Sequence, residues 1–251
     1  MDLTPDNRYS RHTSLPQIGE AGQARIRASH VLIVGLGGLG SPASLYLAAA
    51  GVGRLTLADF DTVEVSNLQR QVAHTTDRVG QLKTTSARQA CLDINPDCRI
   101  ETLDYALDED DLDSLVAQCT AVLDCTDNFP TRFALNAACV RARVPLVSGA
   151  AIRFDGQISV YDSRQSDAPC YRCLYSDSDN AVDNCAQAGI LGPVVGMVGC
   201  IQAIEALKLI SDIGDSLAGR LVLFDGLTME WNEIRLGKNP ECPVCGSDAA
   251  A

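Results

Sequence analysis

Basic residues are scarce in this sequence of 251 residues. Twenty Lys and Arg residues stand against 32 Asp and Glu residues, giving a formal net charge of −12 and a pI of about 4.6. Nucleic acids and anionic membranes bind clustered Lys and Arg, so we expect neither as a partner. The acidity alone requires no function beyond solubility. Histidine is also rare, and His12, His30 and His74 fit neither a catalytic triad nor metal-ligand spacing.

The sequence also lacks a long uninterrupted apolar segment. Residues 1–11 are polar and contain no apolar stretch typical of a signal peptide. Residues 194–213 form the longest apolar stretch, and four polar or charged side chains interrupt it: Gln202, Glu205, Lys208 and Asp212. Such side chains are unfavourable in a membrane-spanning helix. We therefore expect a cytoplasmic protein without a membrane partner.

Short apolar runs alternate with helical patterns through the first 150 residues. Strands are predicted at residues 31–35, 54–59, 99–103, 121–125 and 145–148, and helices at residues 39–51, 82–94, 109–118 and 130–142. This alternation predicts an α/β fold with a doubly wound, mostly parallel sheet. Strands at 157–161, 221–224 and 231–236 and a helix at 194–211 indicate antiparallel C-terminal additions. No repeat or linker separates the two parts, so we predict a single domain.

A glycine-rich turn follows the first predicted strand. Residues 35–40 match the pattern G-x-G-x-x-G at the start of a helix, and Asp59 lies near the end of the second strand. Glycines let a nucleotide approach the backbone closely, while the helix N-terminus offers N–H groups to its phosphates. A role in packing is the alternative, but it leaves Asp59 unexplained. The sequence therefore predicts nucleotide binding.

Three separated segments meet at one edge if the strands take the order 3-2-1-4 that is usual in doubly wound sheets. The carboxyl ends of neighbouring strands then carry Asp59, the glycine turn and residues 124–128. Asp59 is the candidate for binding a ribose hydroxyl. Asp127 is the candidate ligand for Mg²⁺, because hard cations prefer carboxylate and phosphate oxygens. Alternatively, Asp127 caps the helix that follows.

Two cations and an amide lie close to this predicted edge in sequence. Asn67 and Arg70 follow the second strand, and Lys83 starts the next helix. They could neutralise the charge of a triphosphate, which favours ATP over NAD as the nucleotide. Arg70 and Lys83 could also be ordinary solvent-exposed cations.

Two cysteine pairs predict a metal site. A cytoplasmic protein seldom uses cysteines in disulfides, and eleven are present. Cys170 with Cys173 and Cys242 with Cys245 form two C-x-x-C pairs, which together predict a closed tetrahedral Cys₄ zinc site with a structural role. Redox-active dithiols are the alternative.

The other cysteines divide into two kinds. Cys185 lies in a polar stretch outside the pairs and is a candidate nucleophile, although the nearby Asp177, Asp179 and Asp183 disfavour its thiolate form. The remaining six lie in apolar patterns and are predicted to be small core residues. These are Cys91, Cys98, Cys119, Cys125, Cys139 and Cys200.

Together these motifs resemble the MoeB/ThiF family, bacterial relatives of ubiquitin-activating enzymes. The resemblance covers nearly the whole chain: residues 8–11, the glycine turn, residues 59–61 and 66–71, Lys83, residues 124–128 and both cysteine pairs. It implies a homodimer that binds Mg-ATP and a small ubiquitin-like sulfur-carrier protein ending in Gly-Gly. The carrier's terminal carboxylate would attack the α-phosphate, pyrophosphate would leave, and an acyl-adenylate would remain.

The resemblance also implies residue roles. Arg11 would reach across the dimer to the partner subunit's ATP, Asp127 would position Mg²⁺, and Asp59 would hold the ribose. The implied ATP-binding set is Gly38, Asp59, Asp61, Ser66, Asn67, Leu68, Gln69, Arg70, Lys83, Asp127 and Asn128. Residues 1–30 would form a helical arm, residues 31–150 the nucleotide-binding core, and residues 151–251 the part that binds the carrier and zinc.

The branch of the family decides the carrier. Residues 59–63 and 148–153 look closer to the branch that activates the small subunit of molybdopterin synthase. In the thiamine branch, a cysteine at the position of Cys185 forms a persulfide-linked carrier, so a thiamine-pathway carrier is the alternative. No sulfurtransferase domain follows Cys245, so we expect a separate sulfur donor protein. Two other classes stay open: an NAD-dependent oxidoreductase and a non-catalytic scaffold that binds ATP and a carrier.

Overall fold

The computed structural model describes residues 8–176 and 188–246, through which one eight-stranded sheet runs. The strands are β1 (His30–Val34), β2 (Arg54–Ala58), β3 (Arg99–Leu103), β4 (Ala121–Asp124), β5 (Leu146–Ile152), β6 (Asp155–Tyr161), β7 (Arg220–Asp225) and β8 (Glu230–Arg235). They lie in the order β3-β2-β1-β4-β5-β6-β7-β8. The predicted α/β fold and the order 3-2-1-4 are confirmed.

Strands β1 to β5 are parallel. All five residues of β1 are buried, as expected where helices cover both faces of a sheet. Val34, at the end of β1, lies opposite Ala58 on β2 and Asp124 on β4. The three strands therefore end at the same level, and the segments that follow them meet at one edge.

The C-terminal half of the sheet is antiparallel, also as predicted. A tight turn joins β5 to β6, and β6, β7 and β8 continue the sheet in antiparallel pairs. Strand β8 forms one edge and all its residues are exposed. Its Trp231 lies against Phe224 of β7, with ring centroids 4.5 Å apart.

Helices pack on both faces of the sheet. They are α1 (Ser10–Thr13), α2 (Gly19–Ala28), α3 (Gly40–Ala50), α4 (Lys83–Ile94), α5 (Glu109–Val116), α6 (Phe129–Ala142), α7 (Tyr171–Leu174) and α8 (Gly192–Ser211). Alternate residues of β1 enter two apolar cores. Val31 and Ile33 pack toward α2, α3, α4 and α8, whereas Leu32 and Val34 pack toward α5 and α6. The division into an arm, a core and a C-terminal part stays a prediction.

Helix α8 is long and apolar enough, by length and composition, to cross a membrane, and over half of it is buried inside the protein. It packs against α3, β5 and β6, and this packing accounts for its apolar composition. Two of its polar residues have internal partners. Gln202 is fully buried and its Nε2 donates to the carbonyl oxygen of Asp124 at 2.7 Å, while Glu205 accepts from the Leu217 N–H at 2.8 Å.

Candidate nucleotide-binding site and metal centre

A cleft of about 640 Å³ opens at the carboxyl edge of β1, β2 and β4. This volume lies in the range of about 300–1,000 Å³ that is typical of small-molecule sites. The glycine turn, Asp59, Lys83 and Asp127 all line it. The predicted convergence of three segments at one edge is therefore confirmed.

Two positions of the glycine turn, Gly35 and Gly38, leave no room for a side chain. Gly35 has a φ of +90°, and a Cβ there would lie 2.5 Å from the carbonyl oxygen of Cys125. A Cβ on Gly38 would lie 2.7 Å from Cγ1 of Val195 on α8. Only glycine satisfies both the left-handed backbone at Gly35 and the close helix contact at Gly38. The bare backbone and the N-terminus of α3 together form a cradle of the kind that accepts phosphates.

Asp59 holds the turn in place. Its Oδ2 accepts the Leu36 N–H at 2.7 Å, and its Oδ1 accepts the Asp61 N–H at 2.9 Å. The carboxylate thus links the end of β2 to the turn after β1. The sequence predicted only a ribose contact for Asp59, and this bracing of the turn is an additional role.

Lys83 is a buried cation in the wall of the cleft. Its residue is 7% exposed, so the alternative that it is an ordinary surface cation is wrong. Nζ lies 2.7 Å from Oδ2 of Asp61, and the Lys83 N–H donates to the Asp61 carbonyl at 2.9 Å. The start of α4 is therefore fixed beside the cleft with its ammonium group directed to the same rim as Asp61.

The loop after β2 carries the next predicted residues on a short 3₁₀ turn, Val65–Asn67. Asn67 is buried, and its Oδ1 accepts the Glu64 N–H at 3.0 Å. Arg70 Nη1 donates to the Ser66 carbonyl at 3.0 Å, which orients the guanidinium. Asn67 and Arg70 line the cleft together with Asp61 and Glu64. Three other predicted residues of this loop are not among those that line it: Ser66, Leu68 and Gln69.

In the segment after β4, Asp127 and Asn128 have different positions and different partners. Asn128 caps α6, because its side chain accepts the Thr131 N–H at 3.0 Å. The alternative that Asp127 is the cap is therefore wrong. Asp127 lines the cleft, is exposed, and makes no hydrogen bond within residues 8–176 and 188–246. Its carboxylate is available to a ligand.

A network of buried hydrogen bonds holds the start of the segment that follows β4. Asp124 is fully buried; its Oδ1 accepts the Thr126 hydroxyl at 2.7 Å and its Oδ2 accepts the Ser148 hydroxyl at 2.8 Å. Arg132 of α6 donates from Nη2 to the Thr126 carbonyl at 2.6 Å. These contacts fix the backbone immediately before Asp127.

Sequence reasoning missed two buried polar residues in the cleft wall. Gln71 is 3% exposed, and its Oε1 has no hydrogen-bond partner in the part of the chain that the structure describes. Arg132 is 8% exposed and also lines the cleft. An unpartnered buried amide is costly unless a ligand satisfies it. The position of Gln71 directly after Arg70 was the available signal, whereas Arg132 carried none apart from its place one turn into α6.

The cradle at Gly38 and the two cations fit a triphosphate, while the unpartnered Gln71 Oε1, an acceptor, suits a hydroxyl or amino group of the nucleotide. The backbone and the helix N-terminus suit phosphates, and Lys83 and Arg70 supply opposing charge at the rim. Asp127 supplies the carboxylate that a hard divalent cation prefers.

The four paired cysteines converge on one point. Their sulfur atoms all lie within 4.8 Å of one another. The shortest separations join the two pairs: Cys170 to Cys242 is 3.6 Å and Cys173 to Cys245 is 3.4 Å. A tetrahedral Zn²⁺ with Zn–S bonds of about 2.3 Å places its ligands roughly 3.8 Å apart. The cluster therefore fits a Cys₄ metal site, and the interleaving of the pairs argues against two independent redox dithiols.

The remaining predicted residues have the following places. Arg11 is exposed on α1 and is not among the residues that line the cleft. Cys185 lies outside the described residues. Five of the six predicted core cysteines are buried and Cys200 is half-buried. Burial raises the pKa of the Cys91 thiol to about 11, as expected for an inert core cysteine.

The fold and the cleft define a class, the nucleotide-binding α/β proteins with a glycine turn at the first strand. Within that class the chain belongs to the ThiF family, whose profile matches residues 9–244. The resemblance inferred from the sequence is confirmed.

Relatives extend over the whole chain. The molybdopterin-synthase adenylyltransferase of Salmonella typhimurium is 48% identical over 239 residues, which cover 95% of this chain and 96% of that protein. The adenylyltransferase and sulfurtransferase MOCS3 of Drosophila yakuba is 48% identical over 250 residues, covering 98% of this chain and 55% of that protein. This chain thus spans about half the length of MOCS3. The solved structure of Escherichia coli MccB with ATP has a TM-score of 0.83 and 25% identity, covering 96% of this chain and 74% of MccB.

Proposed function

We propose that this chain transfers AMP from ATP to the C-terminal Gly-Gly carboxylate of a ubiquitin-like sulfur-carrier protein in molybdenum cofactor biosynthesis, with release of pyrophosphate. The carrier is the small subunit of molybdopterin synthase. One observation carries the proposal: a cleft built for a triphosphate in a chain that matches a molybdopterin-synthase adenylyltransferase over almost its full length. The chain is an adenylyltransferase, and an NAD-dependent oxidoreductase has no use for Arg70 and Lys83 at this rim.

Catalysis rests on positioning and charge. Attack of a carboxylate on the α-phosphate spreads negative charge over the phosphoryl oxygens, and no protein nucleophile or base is needed. Lys83 and Arg70 bind the phosphates and stabilise that charge. Asn67 contributes its amide from the buried wall, and Gln71 Oε1 accepts a hydrogen from a hydroxyl or amino group of the nucleotide. Asp59 accepts a ribose hydroxyl while it braces the glycine turn.

Asp127 holds Mg²⁺ in this proposal. The exposed, unbonded state of its carboxylate supports the role. A bound Mg²⁺ would neutralise phosphate charge during transfer. Asn128 fixes the loop through its cap on α6, and Gly38 admits the phosphates through its bare backbone. Ser66, Leu68 and Gln69 act through the backbone of the loop that carries Asn67 and Arg70.

Zn²⁺ is the metal proposed for the Cys₄ centre. A site with four thiolate ligands has no open position for water, so the ion serves structure. It ties α7, which carries Cys173, to the C-terminal segment that carries Cys242 and Cys245.

A homodimer is proposed as the working form. Tyr46 on α3 and Ile204 on α8 are 59% and 53% exposed on two helices that pack together. Exposed apolar side chains on adjacent helices suit a subunit interface. Arg11 lies outside its own cleft and in this proposal contributes to the partner's site. A sulfur donor protein is proposed as a further partner, and the cytoplasm as the compartment.

The test is carrier-dependent exchange of labelled pyrophosphate into ATP. Two carriers ending in Gly-Gly are compared, one from the molybdopterin pathway and one from the thiamine pathway. Exchange with the first alone supports the proposal, and exchange with the second alone assigns the thiamine branch, in which Cys185 becomes the candidate for the persulfide link. ATP binding without exchange with either carrier indicates a scaffold and overturns the enzyme.

A further inference from the structure

Both polar atoms of the Asn136 side-chain amide make hydrogen bonds at the first cysteine pair, one to Cys170 and one to Tyr171. Asn136 lies on α6 and is 1% exposed. Its Nδ2 donates to the sulfur of Cys170 at 3.6 Å, and its Oδ1 accepts the Tyr171 N–H at 2.8 Å. The amide is thus oriented, because exchanging its N and O atoms would break both contacts.

Another sulfur contact lies within the metal centre itself. The sulfur of Cys173 accepts the Asn239 N–H at 3.4 Å from the C-terminal segment that also carries Cys242. The contact to Cys170 comes instead from a helix of the nucleotide-binding half. Asn136 therefore connects the Cys₄ centre to that half.

The same helix leads to the nucleotide cleft. Its N-terminal cap is Asn128, next to Asp127, and Arg132 one turn later holds the Thr126 carbonyl at 2.6 Å. Arg132 and Asn136 are four residues apart and lie on the same helix face. The distance from Asn128 to Asn136 along the axis is about 12 Å. A shift of α6 at Asn136 would therefore also displace Arg132 and Asn128, which contact the Asp127 loop.

We propose that Asn136 is a positioning residue that couples metal occupancy of the Cys₄ centre to nucleotide binding at the Asp127 loop. A bound metal fixes the position of the Cys170 sulfur, to which the Asn136 Nδ2 donates at 3.6 Å. The loaded centre therefore holds Asn136, and with it α6 and the loop, more firmly than the stripped centre does. The nucleotide half of this inference rests on the proposed function.

The variant Asn136→Asp removes the donor to sulfur but adds a carboxylate beside the cysteines, so Asn136→Leu, which removes the donor without adding charge, is measured in parallel and must show the same direction of change. An aspartate keeps an acceptor for the Tyr171 N–H and loses the donor to Cys170. Zinc affinity of the full chain is measured by competition with a chromogenic chelator. We expect a loss of about 10- to 100-fold, the range found when outer hydrogen bonds to metal ligands are removed. The control is Cys139→Ala, a change on the same helix that leaves both Asn136 contacts in place. Equal zinc affinities in Asn136→Asp and Cys139→Ala would overturn the role of Asn136 at the metal.

Coupling is measured by titrating ATP into zinc-loaded and zinc-stripped protein. We expect stripping to weaken ATP binding of the wild type by about 5- to 150-fold, a usual range for coupled sites, and to weaken that of Asn136→Asp much less. If stripping unfolds the chain, the loaded forms decide: Asn136→Asp must bind ATP more weakly than Cys139→Ala. Equal ATP affinity of loaded and stripped wild type would refute the coupling. Failure of every form to bind ATP would refute the proposed function, while the zinc result would still decide the role of Asn136 at the metal.

Discussion

The Nζ atom of Lys83 lies 2.7 Å from Oδ2 of Asp61, and the two side chains differ in exposure, at 9% and 54%. The ammonium is thus held in the cleft wall by a carboxylate that water already solvates. A phosphate oxygen can replace Asp61 at low cost, because the released carboxylate returns to water. The pair keeps the Lys83 side chain oriented at the cleft, where the proposed nucleotide would bind.

Replacing Lys83 with methionine should abolish most of the activity. Methionine keeps much of the side-chain volume and removes the charge that would stabilise the phosphoryl oxygens. We expect carrier-dependent pyrophosphate exchange to fall by about 100-fold or more. The thermal midpoint of unfolding should change little, because Asp61, the partner in the ion pair, is exposed to water.

The matched control is Asp61→Asn, which removes the partner and keeps the ammonium. Exchange should persist in that variant within about tenfold of the wild type, since Lys83 can still reach the phosphates. If both variants lose activity equally, activity depends on the ion pair between Lys83 and Asp61, and the proposed contact between Lys83 and the phosphates is refuted.

Asp127 and Asn128 are neighbours with separable roles. Asp127→Ala should eliminate Mg²⁺-dependent adenylation without loss of stability, since the side chain makes no hydrogen bond in the described residues. Asn128→Ala should lower the free energy of unfolding by about 0.5–2 kcal/mol through loss of the helix cap. Urea unfolding and pyrophosphate exchange of both variants check the assignment. Full exchange activity in Asp127→Ala would remove Asp127 from the mechanism.

Arg11 is the test of a shared site. It is exposed on α1 and makes no hydrogen bond or ion pair within the described residues. Arg11→Ala should be inactive as a homodimer. Mixed dimers of Arg11→Ala with Lys83→Met should regain activity, because the subunit with Lys83 intact receives Arg11 from its partner. Mixing that restores nothing would place Arg11 outside the partner's active site.

Much of the fold could be predicted from local patterns. The strand–helix alternation predicted a doubly wound sheet, for which the order 3-2-1-4 is usual, and β3, β2, β1 and β4 have that order. The edge that gathers Asp59, the glycine turn and Asp127 then followed from the topology. The Cys₄ site could also be predicted from the sequence, because the spacing of both C-x-x-C pairs is set by the metal geometry.

The missed features depend on three-dimensional packing. The bond from Leu36 to Asp59 joins two loops, and the burial of Gln71 depends on the loop that follows β2. Asp127 and Asn128 are both good helix caps, so sequence alone could not decide which of them starts α6. The contact between Asn136 and Cys170 links a helix to a distant loop and has no sequence signature.

Two buried histidines predict how stability depends on pH. The Nδ1 of His30 lies 3.0 Å from the Gln118 carbonyl and its Nε2 lies 2.8 Å from the Thr56 hydroxyl. The Nε2 of His74 lies 3.1 Å from the Leu36 carbonyl and its Nδ1 lies 2.9 Å from the Ser86 hydroxyl. Burial lowers the pKa of both residues below the ordinary value of 6.5.

The sign of the effect follows from proton uptake. As pH falls below about 6.5, the unfolded chain binds protons that the folded chain does not, so the free energy of unfolding decreases. It stops decreasing from this source once pH passes the lowered pKa values of the folded state. Urea unfolding between pH 7.5 and 5.5 should show this loss. The variant His30→Asn/His74→Asn should flatten the pH dependence, whereas His12→Asn, at a half-exposed position, serves as the matched control. A double variant with the wild-type slope would mean that other groups take up the protons.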